Sequence, residues 1–222
     1  MREPTVPDTA AIQAYWDTAH RLLESPHYRA SVTRAADLLD RTYRTAGTVL
    51  ALGDGSSASS ASHFAADLAR YATNDRADFR VACLNDSAAA LAAWTDVASW
   101  TAYCERSVAT WLGDGGGVFC AFSVHGNRSP GRHSAPDPLV RAALTARATG
   151  NRVIAFTGFD GGRLGAVADI HINVPAAEEP IATPLIESLH LVAHQAICLA
   201  LRTGMHDPTP TPLACRSIRL AA

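Results

Sequence analysis

Two hydrophobic periods organise the chain. Ile12, Tyr15, Trp16, Ala19, Leu22 and Leu23 recur at helix spacing. Ser25-Pro26 interrupts them, and Val32, Ala35, Leu38, Leu39 and Tyr43 then mark a second apolar face. The pattern over 8–44 predicts an N-terminal hairpin of two helices, able to cover the domain or to pack on another subunit. Short apolar strands follow, each running into a polar turn. They are 48–52 before Gly53-Asp54-Gly55-Ser56-Ser57, 80–84 before Asn85-Asp86-Ser87, and 117–122 before Ser123-Val124-His125-Gly126-Asn127. Helices are expected over 59–71, 87–112, 139–149 and 182–203, and further strands over 152–157 and 169–174. A Pro-, Gly- and Ser-rich stretch at 128–138 and a Pro-containing tail from 205 read as loops.

Strand, polar turn and helix, four times over, predict an α/β fold: a doubly wound parallel sheet flanked by helices, with 169–174 as its fifth strand. The expected organisation is a hairpin over 1–47 belonging to the same domain, a main domain over 48–204 and a tail over 205–222. In such sheets ligands bind beyond the carboxyl ends of the strands. Three hydroxyl- or glycine-rich turns converge there, which places a polar pocket at that edge.

Composition narrows the chemistry. The chain has 222 residues, 48% of them hydrophobic, and a formal net charge of -2, which argues against nucleic acid as a partner. There is no run of 18 apolar residues, so no membrane span is expected, and Met1-Arg2-Glu3-Pro4 opens without the apolar core of a secretory signal. Five scattered cysteines form no Cys-x-x-Cys pair, and most of them, lying in apolar stretches, read as small buried hydrophobes in a reducing cytoplasm. All 19 basic residues are arginine. Without lysine, Schiff-base chemistry and a lysine-bearing phosphate loop are excluded, and a phosphate would be held by amides, hydroxyls and arginine.

Four features could carry chemistry, and each has a plain structural alternative. The turn Asp54-Gly55-Ser56-Ser57 leads into a helix whose free N–H groups suit an anion, or it is an ordinary capped turn. His63 and Asp67 stand at i and i+4 on that helix, placed to bind a metal or exchange protons, or to form a solvated pair. Glu187, His190 and His194 share a face of the last helix at i, i+3 and i+7, with Gln195 beside them. That set suits a divalent metal or an acid–base site, or else core hydrogen bonds and an interface. Ser123, His125, Asn127 and Arg128 offer donors at the third turn, Arg128 bringing positive charge, or form a plain loop.

Together these motifs resemble the sugar isomerase (SIS) domain family, and within it the phosphoheptose isomerases, over roughly residues 10–203. Gly53-Asp54-Gly55-Ser56-Ser57 followed by His63-Phe64-Ala65-Ala66-Asp67-Leu68 is similar to the family's Gly-Asn-Gly-Gly-Ser and His-Phe-Ala-Glu-Glu-Leu. Leu84-Asn85-Asp86 looks like its Ser/Thr-Asp turn, and Thr95-Asp96 like a later Asn-Asp. The run from Val153 to Gly162 is similar to Val-Ile-x-Leu-Thr-Gly-x-Asp-Gly-Gly, and Ala168-Asp169-Ile170 with Val174-Pro175 fits as well.

The resemblance implies a five-stranded SIS fold, assembly as a homotetramer or homodimer with sites between subunits, and cytoplasmic conversion of sedoheptulose 7-phosphate or a similar seven- or eight-carbon sugar phosphate through an enediol. Asp67 would move the proton between C1 and C2. Glu187, His194 and Gln195 would serve the oxygens or ring opening. Asp54, Gly55, Ser56, Ser57, Asp86, Ser123, His125, Asn127 and Arg128 would hold the substrate and its phosphate. Zinc or another divalent metal would fall to His63, Asp67, Glu187 and His190, and no nucleotide cofactor is expected. The sequence departs from the family where the chemistry sits. Asp67 replaces a glutamate, and ungapped spacing puts Glu187 and Gln195 where the family has Gln and His. His125 and Arg128 replace two serines of a Ser-Thr-Ser-Gly-Asn-Ser loop. These changes leave two other readings: a non-catalytic sugar-phosphate sensor, and a metal-dependent lyase or epimerase on the same scaffold.

Overall fold

A computed structural model of the chain describes residues 9–73, 79–126, 137–176 and 179–204. Five parallel strands form one sheet in the order β2-β1-β3-β4-β5. They are β1 Val49–Gly53, β2 Val81–Cys83, β3 Val118–Ser123, β4 Arg152–Gly158 and β5 Ile170–Val174. The order reverses between β1 and β3, and this is where an open α/β sheet splays its turns apart and leaves a crevice.

Alternation along the strands makes two cores. Val49, Ala51, Val118, Cys120, Phe122, Ile154 and Phe156 face one way. They meet α1 (Thr9–Leu23), α2 (Pro26–Arg44), α3 (Ser57–Ala66) and α8 (Ala182–Gly204). Leu50, Leu52, Phe119, Ala121, Val153 and Ala155 face the other way. There they meet α5 (Trp100–Leu112), α6 (Pro138–Ala148) and α7 (Gly162–Val167). Strands buried on both faces explain the continuous apolar runs in the sequence.

The two N-terminal helices both pack on α8. Ser25 accepts from the Tyr28 amide, and Pro26 opens α2. The Tyr28 hydroxyl donates to the Leu189 carbonyl of α8 at 2.6 Å. Among the described residues α8 alone is long and apolar enough to cross a membrane, but half of that stretch is buried inside the fold, as in the core helix of an α/β domain.

Three departures from the sequence reading have local causes. The helix expected over 87–112 is two, α4 (Ala88–Val97) and α5, because Ser99 caps a new helix by accepting from the Ala102 amide at 3.1 Å. The short α7 was not foreseen in a stretch rich in glycine. The helix expected to run evenly through 59–71 changes character at Asp67. A π-helical turn occupies Asp67–Tyr71, and the Asp67 carbonyl accepts from Ala72 five residues on, at 2.9 Å.

Candidate active site

Glycine makes the first turn possible. A side chain at Gly53 would meet the Ser57 carbonyl oxygen at 2.2 Å, and Gly55 has φ 56°. Asn85 fastens the turn from the side: its Oδ1 accepts from Gly53 N at 2.8 Å and its Nδ2 donates to Gly53 O at 3.0 Å. The side-chain amide thereby carries the β1–β2 pairing two residues beyond Ala51 and Cys83. Asp54 and Ser56 stand exposed, while Ser57 is buried with a hydroxyl that has no hydrogen-bond partner.

From this turn α3 runs alongside α8, and three rungs join them. Ser56 donates to Glu187 at the carboxyl edge. His63 and His194 follow, with ring centroids 5.0 Å apart and planes at 85°. Gln195 then reaches Asp67, its Nε2 donating to Asp67 Oδ2 at 2.7 Å. At 1.5 Å per residue His63 lies roughly 9 Å down the helix from Ser57. The histidine–carboxylate group therefore occupies the seam between the two helices, below the edge where it was expected. Asp86 stands apart from the rungs, exposed, and accepts from Ser62 at 2.5 Å.

Within the seam, His63 Nε2 is 3.2 Å from Asp67 Oδ2 and 3.3 Å from Gln195 Nε2. One ligand atom each from His63, Asp67 and His194 fall within 4.8 Å of one another. His194 is fully buried and neither ring nitrogen has a partner. Burial, with smaller contributions from His63 and His190, drives its pKa down to about 4, so it is neutral at neutral pH. A buried imidazole without a partner is costly unless something else occupies the space it faces.

The other predicted residues are placed differently. Glu187 faces Ser56 and stands outside the group formed by His63, Asp67 and His194. His190 is fully buried among Phe122 and Phe156, and its Nε2 donates to the Thr157 carbonyl at 3.0 Å. Its sequence spacing to His194 is right for a shared face, but that contact turns the ring toward β4. Burial lowers its pKa to about 4.

At the third turn Ser123 is buried and His125 is exposed. Gly126 has φ 54°, and a side chain there would meet Gly161 O at 2.1 Å. Asn127 and Arg128 lie outside the described residues. Beside this turn Asp137 caps α6, its Oδ1 accepting from the Leu139 and Val140 amides at 2.8 and 3.2 Å. Burial raises its pKa, and the Asp54 charge adds to that; Oδ2 has no partner. Sequence reading passed over Asp137, although Asp-Pro before an apolar run is a cap signal.

The SIS domain model matches residues 14–158. Lincomycin biosynthesis protein LmbN of Streptomyces lincolnensis is 48% identical over 74% of this chain, and the chain spans 59% of that protein's length. A phosphoheptose isomerase of Aromatoleum aromaticum is 31% identical over 76% of this chain and 80% of its own. The structure of phosphoheptose isomerase GmhA from Neisseria gonorrhoeae superposes with a TM-score of 0.70 at 25% identity, covering 88% of this chain and 94% of that one.

Proposed function

The chain belongs to the SIS domain family, and from that premise we propose that it is a phosphosugar aldose–ketose isomerase of specialised metabolism, acting in the cytoplasm on a seven- or eight-carbon sugar phosphate. One observation carries the reading: a half-buried carboxylate, Asp67, is held on the α3–α8 seam between His63 and Gln195. The 48% identity to a lincomycin biosynthesis protein supports the metabolic setting, and the likeness to phosphoheptose isomerases supports the substrate class. Along α3 the distance from Ser57 to Asp67 is roughly 15 Å, which suits a long open-chain sugar phosphate better than a triose.

In this reading Asp67 removes a proton from C1 of the ketose. The C2 carbonyl oxygen gains a proton from a seam donor, giving the enediol. Asp67 returns a proton to C2, and the C1 hydroxyl proton leaves, closing the aldose carbonyl. The Gln195 amide donates to Asp67 and so fixes the direction of its carboxylate. His63 is exposed beside it and serves as the partner for the oxygens. Ser57, with its unpartnered buried hydroxyl, and the third turn hold the phosphate end.

The seam also fits a divalent metal. The unpartnered His194 nitrogens offer a lone pair, and the 3.2 Å from His63 to Asp67 is close to the roughly 3.3 Å edge of a tetrahedral zinc site with N and O ligands. His63, Asp67 and His194 would hold the ion, with the Gln195 amide turned to present its oxygen. Bound there, the ion supplies Lewis-acid polarisation of the sugar oxygens. We read the assembly as a homotetramer or homodimer, in keeping with Ile12 and Trp16 of α1 and Leu191, Val192 and Leu199 of α8 all being exposed.

The test is turnover of six-, seven- and eight-carbon ketose phosphates by purified protein and by Asp67→Asn. Aldose formation from the longer sugars by the wild type, lost in the variant, is the expected result. Binding of all three without turnover, together with thermal stabilisation, would instead favour a sensor.

A further inference from the structure

Phe159 is a residue for which the sequence suggested no role, and its backbone is in the left-handed region at φ 51°. That conformation is disfavoured for a bulky side chain and free for glycine. The fold holds it there. The Phe159 carbonyl accepts from Asn173 Nδ2 at 3.0 Å, and Asn173 Oδ1 accepts from the Thr157 hydroxyl at 2.9 Å. With its own proton committed, the Thr157 oxygen accepts from His171 Nε2 at 2.6 Å, which fixes the proton of that imidazole on Nε2. Burial of Phe159 at the rim of the core is partial, so core packing alone gives weak reason to keep an aromatic residue where glycine would relax the chain.

The contact that distinguishes Phe159 is with His125: ring centroids 5.1 Å apart and planes at 15°. The two rings sit on turns locked to each other. Gly158 N donates to Val124 O at 2.9 Å, and Leu164 N donates to Gly126 O at 3.1 Å. Gly126 and Gly161 touch backbone to backbone, which no other residue type would permit. The stack therefore covers one face of an exposed imidazole and fixes its direction.

We propose that Phe159 is a positioning residue for recognition of the substrate's phosphate monoester, seating the His125 imidazole as an N–H donor at the third turn. The inference rests on the phosphosugar reading above. A preset ring loses less freedom on binding than a mobile one, so the stack should appear in affinity.

The test uses the full chain, with binding of inorganic phosphate followed by calorimetry and KM for a seven- or eight-carbon ketose phosphate followed by initial rates. His125→Ala and Phe159→Gly should each weaken phosphate about tenfold, the loss of one charge-assisted hydrogen bond. Phe159→Gly should add little in the His125→Ala background, because the two act as a unit. Phe159→Tyr keeps the stack and should keep affinity, and Phe159→Leu, which keeps apolar bulk if the glycine variant folds poorly, should not. Folded Phe159→Gly or Phe159→Leu that binds phosphate like the wild type, or full additivity with His125→Ala, would overturn the proposal while leaving the phosphosugar reading intact. Wild-type protein that binds no phosphate and turns over no phosphosugar would sink both.

Discussion

The α3–α8 seam with its adjoining turns and the amino edge of the same sheet use similar polar residues to opposite ends. At the amino edge the buried Asn151 and the half-buried Asp169 are both paired. Asn151 Oδ1 accepts from Gly117 N at 2.8 Å while its Nδ2 donates to Gly113 O at 2.9 Å. Asp169 takes Val153 N on one oxygen and Arg152 on the other, each at 2.9 Å. On the other side, buried atoms lack partners: Ser57 Oγ, Asp137 Oδ2, His190 Nδ1 and both ring nitrogens of His194. These are all the buried side-chain N and O atoms without a hydrogen bond among the described residues. Satisfied buried groups stabilise a fold, and each unsatisfied one calls for an explanation such as a ligand, an ion or a water. The contrast sets the seam and its turns apart from the amino edge without reference to any relative.

Substitutions should separate the two regions, and the largest effect belongs to the seam. Asp67→Asn should lower kcat by about 100- to 10,000-fold, the usual worth of a positioned base, while the melting temperature barely moves. A collapse of stability with it would show that the carboxylate serves the fold.

Acid should enter through the buried face of α8, where it packs on β4. His190 is held neutral with its pKa near 4 against an ordinary 6.5. A group depressed in this way binds its proton more readily when unfolded, so its contribution is complete above pH 6.5 and is lost as pH falls toward 4. The loss should reach about 3 kcal/mol at most. Chemical denaturation across that window measures it, and His190→Leu should flatten the slope.

The amino edge answers in stability alone. Asn151→Ala strands the Gly117 amide and the Gly113 carbonyl and should cost about 2 kcal/mol, with turnover per folded molecule unchanged. Reduced kcat in folded Asn151→Ala would erase the distinction.

The smallest effect has the unusual sign. His194→Leu removes an unsatisfied buried imidazole and should stabilise the protein by about 1 kcal/mol. It should also abolish the stoichiometric cobalt or zinc uptake expected of the wild type, read by absorption spectrum and metal analysis. Retained uptake in this variant would remove His194 from the donor set.

How much of this was legible in the sequence follows from the range of the interactions. Strand runs, polar turns and helix spacing are local signals, and they located all five strands and the first and third turns. Ser99 carried its cap signal openly, and only the continuous apolar pattern hid it. Side-chain direction across elements is another matter. Heptad-like spacing grouped Glu187, His190 and His194, but Thr157 O draws His190 to β4 and Ser56 draws Glu187 to the edge. Of the two neighbours that ungapped spacing left competing for one position, Gln195 bonds to Asp67 and His194 reaches the same group from the buried side. Phe159 and Asn85 act through contacts 34 and 32 residues away in the chain, which no local pattern encodes.

Proton transfer by Asp67 between adjacent carbons of a phosphorylated ketose is read by running the reaction in deuterated water and locating the label by mass spectrometry. Exchange of the Asp67 proton with solvent during the life of the enediol should put deuterium at C2 of the aldose from wild-type protein, and none should appear with Asp67→Asn. Deuterium reaching C2 as fast with the variant as with the wild type would contradict that role for Asp67.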